Sequence, residues 1–392
     1  MGTQRWQGEA RAALLPRELV SLVDDAFVRS NQLIEEYVAR LALGAFRATG
    51  LERALAEPAT VDEAVVRAGL VPAIARVPAA WLARTLAARA WIESDPASGD
   101  ARYRLARPLP VLDPNEILAE QETVDARCLP SYRIAALAAE CYPAVLRGDV
   151  SGEQALFGPE GTVAWSKYFS NANPLYATSN AIAAIAAERA LPSGGGAILE
   201  LGGGLGSAAE ALLDRLGAMG RAAEASPYRL TDVSPLFLRR AQRSLATRCP
   251  GRSLKFAALD IDQPFATSGV APGSCALVYA VNVVHVSRDL GATLGEIRTA
   301  LADGGQLVLG ECVRNFPGKP LYVELPFNLL AAFRDPLLVP GWRPNGGFLA
   351  PGEWVRALAA NGFADVRIYP DIAAIRDAFP EFVVAAITAR RA

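Results

Sequence analysis

Apolar residues recur at spacings of three and four from about Ser21 to Arg147, most clearly over Asn31–Arg47 and Ala79–Ala90. That period predicts a run of amphipathic helices. Thr60 and Glu63 spell a capping box at the head of a short helix that closes on Gly69, because each side chain can satisfy the other's backbone N–H. A second helix over Val77–Ala90 leads to Trp91, Ile92 and Glu93, then to a Pro/Ser/Gly turn and Tyr103-Arg104-Leu105. Helix, turn, helix and hairpin in that order describe a winged-helix-like module. A helical connector is expected over 151–191, ending at the loop Pro192–Gly196.

The period then changes. Short apolar strands are predicted at Ala197–Leu201, Tyr228–Asp232, Leu254–Leu259, Ala276–Val284 and Gln306–Gly310, with helices at Ser207–Leu216, Pro235–Ala246 and Arg288–Leu301 between them. Alternating strands and helices imply right-handed crossovers and a parallel sheet covered on both faces. A helix over Glu353–Asn361 and two last strands, Val366–Tyr369 and Phe382–Thr388, bring the expected sheet to seven strands. The stretch 313–351 breaks the rhythm with prolines, glycines and aromatics, and is expected to be an insertion capping the sheet's carboxyl edge. The predicted organisation is therefore α/β. Residues 1–150 form a mainly helical domain acting as a lid or dimerisation element, 151–191 connect, and 192–392 form a Rossmann-like domain.

Composition narrows the function. At 392 residues, 52% hydrophobic and 20% charged, the chain can bury the cores of two or three domains. The net charge is −2, and residues 51–110 hold eight arginines against seven acids, so the winged-helix-like module offers no basic face for nucleic acid. Apolar runs such as Tyr176–Ala187 are too short to span a membrane. The N-terminal stretch has no apolar signal core, and the five cysteines are scattered without C-x-x-C spacing, so a cytoplasmic protein with reduced thiols is expected. The single histidine, His285, precludes a multi-histidine metal site. Only three of the thirty-nine basic residues are lysines, a skew typical of GC-rich genomes that dilutes local propensity and makes rare residue types more informative.

The chemistry begins at Glu200-Leu-Gly-Gly-Gly-Leu-Gly206, which joins a strand directly to a helix. Glycines there let the backbone approach a ligand, and the helix start offers unpaired N–H groups. Asp232 at the end of the second strand can accept both hydroxyls of a ribose. Asp260 and Ile261 after the third place an acid and an apolar side chain near an adenine. Gly204-x-Gly206-x-x-Ala209 also satisfies a dinucleotide pattern, so these points alone leave a nicotinamide-type cofactor open. No Lys or Arg lies between Glu200 and Leu213 to favour a phosphate.

Glu200-x-Gly-x-Gly-x-Gly206 resembles the signature of class I S-adenosylmethionine (SAM)-dependent methyltransferases. The similarity continues through Leu230-Thr-Asp-Val-Ser234, Leu259-Asp-Ile-Asp262, Ala280-Val-Asn-Val-Val-His285 and Leu301-Ala-Asp-Gly-Gly-Gln-Leu-Val-Leu-Gly-Glu311. These segments resemble in particular the carbon-methyltransferase domains of polyketide synthases. The resemblance covers about Ala197–Arg390, while the helical part matches only in architecture. No carrier or ketosynthase segment is seen, so a free-standing enzyme is expected. The resemblance implies SAM on Glu200, Gly202, Gly204 and Gly206, its ribose on Asp232, its adenine against Asp260 and Ile261, and its methionine portion near Asn282.

The resemblance further implies a His–Glu general-base dyad. His285 and Glu311 end neighbouring predicted strands, at the edge where ligands of open α/β sheets bind. A weakly acidic acceptor needs such a base before it can attack. Aromatics at Trp165, Tyr168, Phe169 and Tyr176, and at Phe316, Tyr322, Phe327, Phe333, Trp342 and Phe348 in the insertion, can as a group wall an apolar substrate pocket, with no single one assigned a role. The expected reaction is methylation of an activated carbon in a small secondary metabolite, free or carrier-tethered, by a monomer or by a homodimer formed through the N-terminal domain. Methylation of oxygen or nitrogen, and a SAM-binding fold running another reaction such as a cyclisation, stay open, with a nucleotide-binding reductase a weaker alternative.

Overall fold

The computed structural model describes residues 8–95 and 101–392; the Pro/Ser/Gly turn expected around 96–100 lies outside the described residues. The chain divides into two compact units. One is a helical unit of Ala26–Tyr168 with Phe316–Asp335, and the other a sheet unit of Met1–Asp25, Phe169–Asn315 and Pro336–Ala392.

In the helical unit, α1 (Asp25–Ala48) buries Leu33, Ile34, Leu43 and Phe46 along one stripe. The capping box forms at the start of α2 (Val61–Arg67), with Glu63 N donating to Thr60 Oγ1 at 3.2 Å and Thr60 N donating to Glu63 Oε2 at 2.9 Å. Helix α3 (Pro72–Ala88) opens on proline, whose missing N–H costs nothing in a first turn. The hairpin of β1 (Glu93–Asp95) and β2 (Arg102–Arg104) follows, then α4 (Pro114–Asp125), α5 (Leu129–Leu146) and α6 (Pro159–Tyr168). The segment 316–335 completes this unit. Trp81 Nε1 donates to Leu321 O at 3.2 Å and Tyr142 Oη to Leu325 O at 2.8 Å, satisfying two donors that would otherwise be stranded in an apolar core.

The stretch expected as one connector is three helices, Gly152–Leu156, α6 and α7 (Pro174–Ala190), and the division between the units falls inside it at 168/169. The insertion is also divided, at 315/316 and 335/336. Glu18 contacts both Arg189 and Tyr369, so the first described residues pack with the sheet.

The sheet unit continues with β3 (Gly196–Leu201), α8 (Ser207–Ala218), β4 (Ala225–Asp232), α9 (Pro235–Arg248), β5 (Leu254–Ala258), β6 (Cys275–Val281), α10 (Leu290–Ala300), β7 (Leu301–Cys312), α11 (Pro351–Ala360), β8 (Phe363–Tyr369) and β9 (Val384–Arg391). The strands form one seven-stranded sheet in the order β5-β4-β3-β6-β7-β9-β8. The first five are parallel, and β9 runs antiparallel to both its neighbours. Leu277, Val278, Tyr279 and Ala280 on β6 are wholly buried, as a parallel strand covered on both faces requires. Strand order reverses between β3 and β6, and ligands of such sheets bind in the crevice this leaves at the carboxyl ends.

Several strand ends shift by two or three residues from expectation, and two of the differences bear on the site. Strand β6 stops at Val281, because Asn282 turns to a φ of 55° and Val284–Val286 forms a 3₁₀ turn. His285 therefore sits in a tight turn beyond the strand, and only Glu311 lies on one. Strand β7 starts at Leu301 and runs through the expected glycine turn, absorbing it as a register shift between Cys275 and Leu277. Among the described residues no single helix is long and apolar enough to cross a membrane.

Candidate active site

The four glycines of the loop after β3 are glycine for different reasons. A Cβ on Gly202 would lie 2.4 Å from Val283 Cγ2, one on Gly203 2.5 Å from Leu230 Cγ, and one on Gly206 3.1 Å from Leu245 Cδ1. Those three let the loop pack on the sheet and on α9. At Gly204 a Cβ would meet only the Gly202 carbonyl, at 3.9 Å, so this glycine faces open space. Its φ of 53° still favours glycine, and its bare backbone is what a ligand can approach.

Asp232 holds the loop from below. Gly204 N donates to its Oδ2 at 2.9 Å and Ser234 N to its Oδ1 at 2.7 Å. Burial raises its carboxyl above the ordinary aspartate value, and these two N–H donors oppose the rise. Each oxygen has further lone pairs, so a diol could still be bound.

Glu200 is almost wholly buried. Tyr228 Oη donates to its Oε2 at 2.8 Å, while Oε1 has no hydrogen-bond partner among the described residues. Burial pushes its carboxyl up to about 8, opposed by the Tyr228 hydroxyl and the Ala209 N–H and helped by the charge of Asp232. Tyr279, its register partner on β6, buries a hydroxyl that also has no partner. Two orphaned buried oxygens cost free energy unless something completes them. A cationic group is the natural complement, since it would both pair with Glu200 and restore its charge.

On the other side of the crevice, His285 Nδ1 lies 2.6 Å from Glu311 Oε2. Glu311 Oε1 accepts from Val284 N at 3.1 Å and from His285 N at 3.4 Å. The carboxylate thus binds the imidazole and the turn that carries it. Both side chains are buried, and the Phe348 ring lies over the imidazole with centroids 4.1 Å apart. A carboxylate on Nδ1 keeps the proton on that nitrogen and leaves Nε2 as the basic one.

Asn282 braces this turn from its left-handed conformation, donating its N–H to Gly310 O at 2.7 Å and accepting from Cys312 N at 3.0 Å through Oδ1. Asp260 is exposed and accepts from Asp262 N at 3.0 Å, while the Ile261 carbonyl accepts from Thr293 Oγ1 at 3.0 Å. Both lie just past β5, and their side chains make none of these contacts with the glycine loop.

Two further residues bear on the site: Tyr176, expected only as one of the pocket's aromatics, and Arg343, which the sequence does not single out. Tyr176, in the first turn of α7, hydrogen-bonds Ser207. Its hydroxyl is raised chiefly by burial, with the charges of Glu200, Cys312 and Glu311 adding to the rise. It therefore stands within electrostatic reach of both halves of the site. The Asn173-Pro174 helix start was its one local signal. Arg343 has no local signal; it is a single arginine in an irregular segment.

Residues 199–307 match the family model described as a methyltransferase domain. Those residues thus carry a methyltransferase domain, and the chain is similar to segments of polyketide synthases. It is 36% identical over 215 residues to the polyketide synthase ThaG of Burkholderia thailandensis, covering 53% of this chain and 4% of that protein. It is 34% identical over 174 residues to the methyltransferase calH of Penicillium decumbens, covering 42% of this chain and 43% of that protein. The chain thus spans less than half of either relative. Among solved structures, the CurJ carbon methyltransferase superposes with a TM-score of 0.77 at 22% identity, over 98% of this chain and 99% of that one. At that identity the likeness establishes the fold.

Proposed function

We propose that the protein transfers a methyl group from SAM to an activated carbon of a small, polyketide-like substrate, with His285 as general base and Glu311 as its orienting partner. The observation that carries this reading is the 2.6 Å contact between His285 Nδ1 and Glu311 Oε2 beside the crevice of a methyltransferase fold. The similarity in fold to CurJ, a carbon methyltransferase, supports a carbon acceptor.

The loop residues fit SAM. Gly204 offers open backbone, Asp232 a carboxylate for a diol, and the orphaned Oε1 of Glu200 a partner for an ammonium. When bound, SAM supplies a methyl group on a cationic sulfur, electrophilic enough to need only an ionised acceptor. A carbon flanked by carbonyls is too weakly acidic to ionise unaided at neutral pH. His285 takes that proton on Nε2, and Glu311 stabilises the imidazolium as it forms. Phe348, packed over the ring, keeps water from the base. A phenolic or enolic oxygen would use the same base, so the product and not the dyad separates carbon from oxygen transfer.

His285→Ala is expected to bind SAM as the wild type does and to lower turnover by roughly 10²–10⁴-fold. Calorimetry and product mass spectrometry measure the two effects. Turnover within a few-fold of wild type would show that His285 is structural.

A further inference from the structure

The segment 336–350 is sewn to the dyad by two arginines that run in opposite directions. Arg314, just past β7, donates from Nε to Phe348 O at 2.7 Å and from Nη2 to Gly346 O at 3.1 Å. Arg343, in the segment itself, donates from Nη2 to His285 O at 2.9 Å and from Nη1 to Arg288 O at 3.2 Å. Leu337 N also donates to Arg288 O at 2.7 Å, and the backbone of Arg343 closes a small loop with Val339 through bonds of 3.0 and 2.7 Å. The segment is held at three points, and Phe348 rests on the imidazole between them.

Arg343 is an unusual residue to find there. It is 1% exposed, and no carboxylate forms an ion pair with it among the described residues. Its Nε has no hydrogen-bond partner, and burial pulls its guanidinium down to about 10. The charges of Asp262 and Asp289 oppose that fall without undoing it, and a buried cation with no carboxylate in contact is destabilising. Two carbonyl bonds alone are a poor return for that cost, so a stability role explains it badly. The carbonyls it binds do explain it. His285 and Arg288 are three residues apart, at the end of the 3₁₀ turn, where carbonyls lack partners within the turn. A planar guanidinium with two parallel donors spans such a pair, and an ammonium on a flexible stem does not.

We propose that Arg343 is the positioning residue of the base: it fixes the turn that carries His285 from its C-terminal side, as Glu311 fixes it through the Val284 and His285 N–H groups. The imidazole is thereby set from both ends of one turn, and Phe348 is set on its face by the same segment. This inference rests on His285 being the base. A residue that acts only through His285 should lose its effect when His285 is gone, which a residue that merely supports the fold would not.

The test is a double-mutant cycle on the full chain. Arg343→Lys keeps the charge and loses the two-point bond, and Arg343→Gln removes the charge. With His285 present, each is expected to lower kcat by about 10–100-fold, the range for a misplaced catalytic group, with KM and SAM affinity within about threefold. In the His285→Ala background, adding either substitution should change single-turnover rate by less than about twofold. Independent, multiplying effects would overturn the proposal, as would wild-type kcat in both single variants. Loss of SAM affinity in parallel with kcat would make Arg343 a fold support and also overturn it. If His285→Ala itself keeps near-wild-type turnover, the base assignment fails and this inference with it; a normal His285 effect with silent Arg343 variants sinks the inference alone.

Discussion

The two sides of the crevice are finished to different degrees. Around the loop after β3, Glu200 Oε1 and the Tyr279 hydroxyl have no partner, and Gly204 faces open space. Around the turn after β6, both Glu311 oxygens are occupied, Asn282 is bonded at N and Oδ1, and Arg343 closes the turn from outside. One side leaves polar groups for a ligand to satisfy; the other is preorganised before any ligand arrives. That difference fits the roles proposed for each. A binding site can gain affinity by completing orphaned groups, whereas a base gains rate only if it is already oriented when the substrate binds.

Substitutions along the glycine loop should break this contrast most visibly. Gly202→Ala combines a left-handed φ of 59° with a Cβ 2.4 Å from Val283. Overpacking and strain together should cost roughly 2–5 kcal/mol of stability. Gly204→Ala meets no clash and should lose only about 1 kcal/mol to strain while weakening SAM binding by more. Melting of the ligand-free proteins and calorimetry with SAM separate the two; equal melting losses would mean that both glycines serve packing.

Asp232→Ala comes next, with an expected loss of about 2–3 kcal/mol in SAM affinity as a charge-assisted bond to a diol disappears. Because Gly204 N and Ser234 N also lose their acceptor, the ligand-free protein should melt somewhat lower. A lower melting point with unchanged SAM affinity would confine Asp232 to bracing the loop.

The smallest effect sharpens the comparison through pH. Burial lifts Glu200 from an ordinary 4.5 to about 8, so the ligand-free fold prefers it protonated. Between those values the unfolded chain has given up the proton and the native state keeps it. Native stability therefore falls as pH rises from about 4.5 to 8. Glu200→Gln should flatten that slope, melt higher than wild type near pH 8 without SAM, and bind SAM less tightly. Parallel melting curves for the two proteins between pH 5 and 8.5 would show that Glu200 keeps its charge in the native state.

Much of the unfinished side was legible in the sequence. Glu200, the glycines and Asp232 lie within or just past strands whose apolar runs announce them, and their spacing is local. The parallel sheet followed from the strand–helix rhythm for the same reason, though the order of its strands did not. The finished side was read only in part. His285 and Glu311 stood out by rarity and position, yet the left-handed Asn282 and the turn that carries His285 beyond β6 have no periodic signal. Arg343 reaches a carbonyl 58 residues away in sequence, and its bond is set by packing alone. The same limit hid the membership of 316–335 in the helical unit, where Trp81 finds Leu321 across 240 residues.

The antiparallel strand β9 has a further consequence. It lies between β7 and β8, and pairs Glu311 with Ala385 and Cys312 with Val384. During synthesis the strand that carries Glu311 thus waits for its second neighbour until residues 384–391 have been made. A ribosome-bound chain lacking them holds every sequence motif of the site and still has β7 as an open edge. Such an edge invites pairing with another nascent chain. Loss of the last strand to a premature stop or a protease should therefore send this protein to aggregation and not merely weaken its catalysis.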